Sequence, residues 1–212
     1  MEKDKRLIIL GTAHGENVAG KRSPDGKFEE WRYSRETVAA LAALLKAEGF
    51  NVHVDIANGI VPGRQAEELA MRCRIVNELC RKWGTENCIY VSIHVNAAGN
   101  GSKWMGARGW SVYTSRGRTK ADDLATCIWD AADELLPHDN KTALRKDMSD
   151  GDPDYEAGFY VLKNTKCAAV LTENLFMDNR EDVNYLMSEE GRKTIVEIHR
   201  KGIVDYLENE SK

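Results

Sequence analysis

The chain has 212 residues, of which 42% are hydrophobic and 30% charged, enough for one well-cored domain and short for two. Its formal net charge of −4 gives no general reason to expect nucleic acid or an anionic membrane as a partner. No apolar run approaches the ~20 residues that span a bilayer, and the one after the charged start is shorter than the ~7–15-residue core of a signal peptide.

Apolar runs predict strands over residues 6–10, 51–56, 88–96, 109–114, 159–162 and 168–172. Helical spacing predicts a helix that begins near Glu29 or Glu30 and ends at Gly49, and further helices that contain residues 69–80, 120–136 and 195–207. The long polar segment Pro137–Gly158 has no periodicity, and its aspartates are predicted to form a solvated lid.

Strands that alternate with helices indicate an α/β fold, with a mostly parallel sheet covered by helices on both faces. The sequence contains no internal repeat, linker or low-complexity segment, so we expect a single domain over residues 1–212. The five cysteines lie in apolar patterns, and their odd number excludes a complete disulfide framework. Buried free thiols are therefore predicted.

Polar side chains follow three of the predicted strands. His14 and His94 each come at a strand end, and Glu173 follows a third strand. Glu30 can return to the same edge at the start of the first helix, after a long loop. Because the carboxyl ends of neighbouring parallel strands share one edge of a sheet, these groups are expected to meet there.

Two histidines and one carboxylate that leave a coordination position open are typical of a catalytic zinc site. A second carboxylate could then take a proton from the attacking water and pass it to a leaving amine. The ligands lie too far apart in the sequence to fit a local template such as HExxH. From the residues alone, a structural role is slightly favoured for His14 and for His94 taken individually.

Several motifs together resemble the zinc-dependent N-acetylmuramoyl-L-alanine amidases of the type-3 family, which hydrolyse bacterial cell walls. The family has a His-Gly pair after its first strand, here His14-Gly15, and a glutamate that leads a helix, here Glu30. Its Ser-x-His-x-Asn motif matches Ser92-Ile93-His94-Val95-Asn96. The remaining matches are Glu173 with Phe176 and Asn179, and Arg72 with Asn77.

The resemblance implies that His14, Glu30 and His94 bind one zinc ion and that Glu173 is the catalytic acid/base. The implied reaction cuts the amide between the lactyl group of N-acetylmuramic acid and the L-alanine of the peptidoglycan stem peptide. The implied fold is a six-stranded mixed sheet flanked by helices. We expect no separate wall-binding domain, and no nucleic-acid or membrane partner. The protein is expected to be made in the cytoplasm and to reach the wall by release or export, or with a leader that this chain lacks.

Two positions depart from the family pattern or leave a choice open. The family usually has Asp-Pro-Gly before its first histidine, whereas this chain has Gly11-Thr12-Ala13, so a side chain that orients His14 is missing or supplied elsewhere. Glu29 directly precedes Glu30, and either could be the ligand. We prefer Glu30, because Ser34 and Arg35 then fall at the polar positions of the family.

Arg22 and Asn96 are candidate substrate-binding residues. Arg22 lies in a loop between two predicted ligands and could bind a substrate carboxylate, with a simple solvated loop as an equal alternative. Asn96 could bind substrate or hold the loop after His94, and the loop is the preferred role. Two other functions remain open: a zinc peptidase that cuts within the stem peptide, and a peptidoglycan-binding module of the same fold without turnover.

Overall fold

The computed structural model describes residues 3–137 and 144–210. In these residues, one sheet has the strand order β2-β1-β3-β6-β4-β5. The strands are β1 Leu7–Thr12, β2 Asn51–Val54, β3 Cys88–Asn96, β4 Ser111–Thr114, β5 Tyr155–Glu156 and β6 Ala168–Phe176. The helices are α1 Glu30–Ala47, α2 Gln65–Trp83, α3 Lys120–Leu135, α4 Tyr160–Asn164, α5 Arg180–Met187 and α6 Glu189–Asn209.

The sheet is mixed, as expected. Strands β2, β1, β3 and β6 are parallel, whereas β4 pairs with β6 in the antiparallel direction. The carboxyl ends of β1, β3 and β6 therefore lie side by side at one edge of the sheet. This arrangement confirms the predicted six-stranded, mostly parallel α/β fold.

The central strands are buried on both faces, which explains their nearly continuous apolar sequences. In β1, Ile8 and Leu10 pack into the core that contains residues of α1, α3 and α6, and Leu7 and Ile9 pack into the core beside α2 and α4. Side chains of a strand alternate between its faces. All five cysteines are free thiols, and four of them are buried.

The predicted strand over residues 159–162 is wrong. Residues Tyr160–Asn164 form the short helix α4, in which Val161 and Leu162 are buried and Tyr160 is exposed. A short apolar run does not distinguish a strand from a buried helical turn. The sixth strand is instead β5, which pairs with β4 at the sheet edge. Helix α5 also has no counterpart among the predicted elements.

The predicted solvated lid is wrong for Asp154, which comes directly before β5 and is 2% exposed. Its Oδ2 atom accepts a hydrogen bond of 2.5 Å from the Thr114 hydroxyl. Burial, together with the neighbouring Asp152, raises the pKa of Asp154 to about 8. Residues 138–143 of the predicted lid lie outside the described residues. No helix in the described ranges is long and apolar enough to cross a membrane.

Candidate metal centre

The ends of three strands and the start of one helix form a compact polar cluster. One side-chain atom each of His14, Glu30 and His94 lies within 4.8 Å of the others. Glu173 of β6 is the direct strand partner of His94 in β3, so the two side chains leave the sheet on the same face. The four residues that sequence reasoning placed at one edge are therefore brought together there.

Glu30 lies between the two histidines. Its Oε1 atom is 3.2 Å from His94 Nδ1, and its Oε2 atom is 3.8 Å from His14 Nε2. The backbone N–H of Val95 donates to Glu30 Oε1, so β3 itself holds the carboxylate. The adjacent Glu29 is partly exposed and pairs with Arg32. Glu30, and not Glu29, thus faces the histidines.

His94 is oriented by its own strand. Ser92 precedes it by two residues on the same face of β3, and the Ser92 hydroxyl is 3.1 Å from His94 Nε2. This contact leaves Nδ1 for the side of Glu30. The Ser-x-His spacing of the motif therefore has a local geometric reason.

His14 lies beyond the end of β1, in a left-handed backbone conformation with φ of 40°. Such a conformation is unusual for a side chain with a Cβ and needs support from its surroundings. Arg35 and Arg72 supply it, because each donates a hydrogen bond to the His14 carbonyl. Burial lowers the pKa of His14 to about 3, which keeps the imidazole neutral and able to bind a metal.

Ionisation of the two carboxylates is affected in opposite directions. Burial acts to raise the pKa of Glu30, but the hydrogen bond with His94 and the electrostatic interactions around the carboxylate outweigh it and lower the pKa. Burial and the charge of Glu30 raise the pKa of Glu173 well above its ordinary value. Glu30 is thus set to be ionised, whereas Glu173 takes up a proton more readily than an ordinary carboxylate does.

A distortion in β6 accompanies Glu173. The register between β3 and β6 shifts after the pair of His94 and Glu173, and Leu175 adopts a φ of 65°. Asn174 lies inside this bulge and donates to the His94 carbonyl over 2.9 Å. Bulges beside functional sites re-aim side chains, and this one ties β6 to the backbone of His94.

The residues present fit a zinc ion. Neutral imidazole nitrogens and an ionised carboxylate are the donors that zinc binds in proteins. Glu30 Oε2 and Glu173 Oε2 are buried atoms for which the described residues supply no hydrogen-bond partner. Unpartnered buried carboxylate oxygens are rare, and a cation at this point would stabilise them.

The two candidate substrate-binding residues lie differently. Arg22 is exposed, and its backbone forms an isolated bridge with Glu29. The neighbouring Lys21 is the loop cation whose charge acts on both Glu30 and Glu173. The side-chain oxygen of Asn96 accepts a hydrogen bond of 2.8 Å from the backbone N–H of Ala97, the first residue after β3.

Two supporting residues were not assigned a role from the sequence. The Ser34 hydroxyl donates to the Ile93 carbonyl over 2.6 Å and accepts from the Ala13 backbone over 2.8 Å. Its spacing of four residues from Glu30 on a helix was a usable signal. Asp178 accepts hydrogen bonds from the backbone of Ala98 and Gly99. Nothing in its local sequence distinguishes it from a surface aspartate.

The sequence matches the family described as N-acetylmuramoyl-L-alanine amidase over residues 8–205. The chain belongs to this family. It is 28% identical over 119 residues to an endolysin of Bacillus phage SPP1, a match that covers 56% of this chain and 40% of the endolysin. The match thus spans less than half of that relative.

Solved structures of amidases share the fold of this family member. CwlD of Clostridioides difficile, solved in complex with the GerS lipoprotein, has a TM-score of 0.75 at 18% identity, over 96% of this chain and 99% of CwlD. The catalytic domain of CwlV, an N-acetylmuramoyl-L-alanine amidase of Bacillus (Paenibacillus) polymyxa var. colistinus, also has a TM-score of 0.75, at 19% identity over 96% and 98% of the two chains.

Proposed function

We propose that this protein hydrolyses the amide bond between the lactyl group of N-acetylmuramic acid and the L-alanine of peptidoglycan stem peptides. One zinc ion would be bound by His14, Glu30 and His94. The observation that carries the proposal is the approach of these three side chains within 4.8 Å, with Glu173 as the strand partner of His94. Membership in the amidase family supports the choice of substrate.

Each residue has a separate task in the proposed reaction. When bound, zinc supplies Lewis-acid activation of the attacking water and of the scissile carbonyl. Glu173 accepts the proton of the water and returns it to the nitrogen of the leaving L-alanine. Ser92 and the Val95 backbone hold His94 and Glu30 in place during this exchange.

The substrate contacts are part of the same proposal. Arg22, exposed in the loop before Glu30, would bind a carboxylate of the stem peptide, and Asn96 would shape the loop that borders the cleaved bond. If Arg22 has this role, Arg22→Ala raises KM on peptidoglycan fragments. The protein would act on the cell wall after release or export from the cytoplasm.

Digestion of purified peptidoglycan, followed by mass spectrometry of the products, tests the bond that is cut. Stem peptides with a free L-alanine amino group are expected, together with intact glycan that retains its lactyl groups. Peptides cut at another position would indicate a zinc peptidase. Zinc-loaded protein that binds the wall and releases nothing would indicate a binding module.

The variant Glu173→Gln tests the division of roles. Because Glu173 is proposed to transfer protons and not to bind the metal, the variant should retain zinc and lose about 10²–10⁴-fold in kcat. Zinc content by elemental analysis and turnover of muropeptides measure the two effects. Glu78→Gln, at an exposed position of α2, is the control. Loss of zinc from Glu173→Gln would show that Glu173 binds the metal, contrary to the role proposed for it.

A further inference from the structure

A second buried carboxylate lies on the side of His14 that faces away from Glu30. Glu68, in the first turn of α2, is 1% exposed, and its Oε2 atom is 4.0 Å from His14 Nδ1. The other ring nitrogen, Nε2, is the one near Glu30. The His14 imidazole therefore lies between two buried carboxylates, with one at each nitrogen.

Both of the atoms that face each other lack a hydrogen-bond partner among the described residues. His14 Nδ1 and Glu68 Oε2 are both buried, and no hydrogen bond from the described residues reaches either of them. Buried polar atoms are nearly always paired. Their separation is about 1 Å longer than an N–H···O hydrogen bond, so a small movement of either side chain would join them.

Arg72 holds Glu68 in this orientation. Its guanidinium donates twice to Glu68 Oε1, over 3.1 and 2.9 Å, which leaves Oε2 free to face His14. The same guanidinium donates to Asp55 and to the His14 carbonyl. One arginine therefore positions both the carboxylate and the backbone of the histidine that the carboxylate faces.

Strand β1 has no room for a carboxylate of its own at Gly11, three residues before His14. A Cβ atom at this position would overlap the hydroxyl of Tyr90. That hydroxyl donates to Asp55 over 3.0 Å and is buried, so it is not free to move aside. A carboxylate that orients His14 has to come from another element, and Glu68 is placed to supply it.

We infer that Glu68 is a positioning residue for His14. It accepts a hydrogen bond from Nδ1–H, which fixes the tautomer with a lone pair on Nε2 and makes that nitrogen a stronger ligand. The inference rests on the proposed zinc site and adds a residue from α2, outside the cluster of ligands. In this role Glu68 would contact neither the substrate nor the metal.

Zinc affinity of the full chain, measured by competition with a chromophoric chelator, tests the inference without any activity assay. Glu68→Gln keeps the size of the side chain and an oxygen for Arg72 but removes the charge, and should weaken zinc binding by about 10–100-fold. Glu67→Gln, at the exposed neighbouring position, should bind zinc as the wild type does. Equal zinc affinity in the wild type and in Glu68→Gln would overturn the inference about Glu68 and leave the proposed zinc site intact. A wild type without zinc affinity would overturn the proposed zinc site.

Nitrogen-15 NMR of the histidine rings in zinc-loaded protein tests whether Glu68 orients the His14 ring or only packs beside it. In the wild type, His14 should carry its proton on Nδ1 and the metal on Nε2, and the Nδ1–H signal should shift in Glu68→Gln. The wild-type spectrum requires no variant and so does not depend on how Glu68→Gln folds. Metal on Nδ1 of His14, or an Nδ1–H signal that is unchanged in Glu68→Gln, would contradict the role of Glu68.

Discussion

The two histidines of the site are held by different means. His94 lies within β3, and its ring is oriented by Ser92 on the same strand. His14 lies beyond β1 in a left-handed conformation, where Arg35 and Arg72 hold its carbonyl. The regular geometry of a strand sets the position of His94, whereas the position of His14 depends on helices α1 and α2.

This difference shows which of the two histidines depends on distant residues for its position. A contact between residues i and i+2 of a strand forms wherever the strand forms. A strained turn that is held by two arginines needs the packed tertiary structure. We therefore expect changes outside the motifs to disturb His14 more than His94.

The largest effect on zinc binding and hydrolysis is expected at Glu30, which lies between His14 and His94. Glu30 contacts both histidines, so Glu30→Gln should reduce bound zinc to background and abolish hydrolysis. Zinc content and release of stem peptides measure the outcome. Glu29→Gln is the matched control, because Glu29 pairs with Arg32 at the surface. Retention of zinc by Glu30→Gln would remove this residue from the ligand set.

A smaller effect is expected from Ser34→Ala. This change removes the hydroxyl that joins Ala13, next to His14, to Ile93, next to His94. The change leaves the Ala13 N–H and the Ile93 carbonyl buried without their partner, which should lower the free energy of unfolding by about 1–3 kcal/mol. For a chain of this size, this corresponds to roughly 2–4 °C in Tm per kcal/mol.

Thermal and urea denaturation measure the effect of Ser34→Ala. Ser102→Ala, in an exposed loop, is the control and should change stability by less than about 0.5 kcal/mol. Equal stability of the two variants would show that the Ser34 bridge contributes nothing to joining the strand ends.

The smallest effect is expected from Ser92→Ala at the His94 end. The lost hydrogen bond is to a neutral hydroxyl and is worth about 1 kcal/mol, which is roughly a fivefold loss of zinc affinity. Chelator competition on Ser92→Ala and Glu68→Gln side by side compares the two histidine ends directly. A greater loss of zinc affinity in Ser92→Ala than in Glu68→Gln would show that His94, and not His14, is the histidine that depends more on its supporting residue.

Much of the fold could be predicted because its signals are local. The apolar run of β3 and the helical spacing of α1 each result from burial of one or two faces of a single element. The signal failed for residues 159–162, where the apolar run is too short to distinguish a helix from a strand. It also failed for Asp154, whose burial depends on pairing of β5 with β4.

By itself, the sequence determined the α/β fold and the meeting of His14, His94 and Glu173 at one edge of the sheet. Parallel strands align their carboxyl ends, and each of these residues lies at or just beyond such an end. The resemblance to the amidase family then indicated a zinc site.

Only the tertiary structure showed that Glu30, and not Glu29, faces the two histidines, because this depends on the direction in which α1 presents each carboxylate to β3. It also decided where a carboxylate for His14 comes from. Glu68 is distant from His14 in the sequence and is not itself part of a family motif, although Arg72 and Asn77 of the same helix are. Only packing of α2 against the end of β1 brings it to His14 Nδ1.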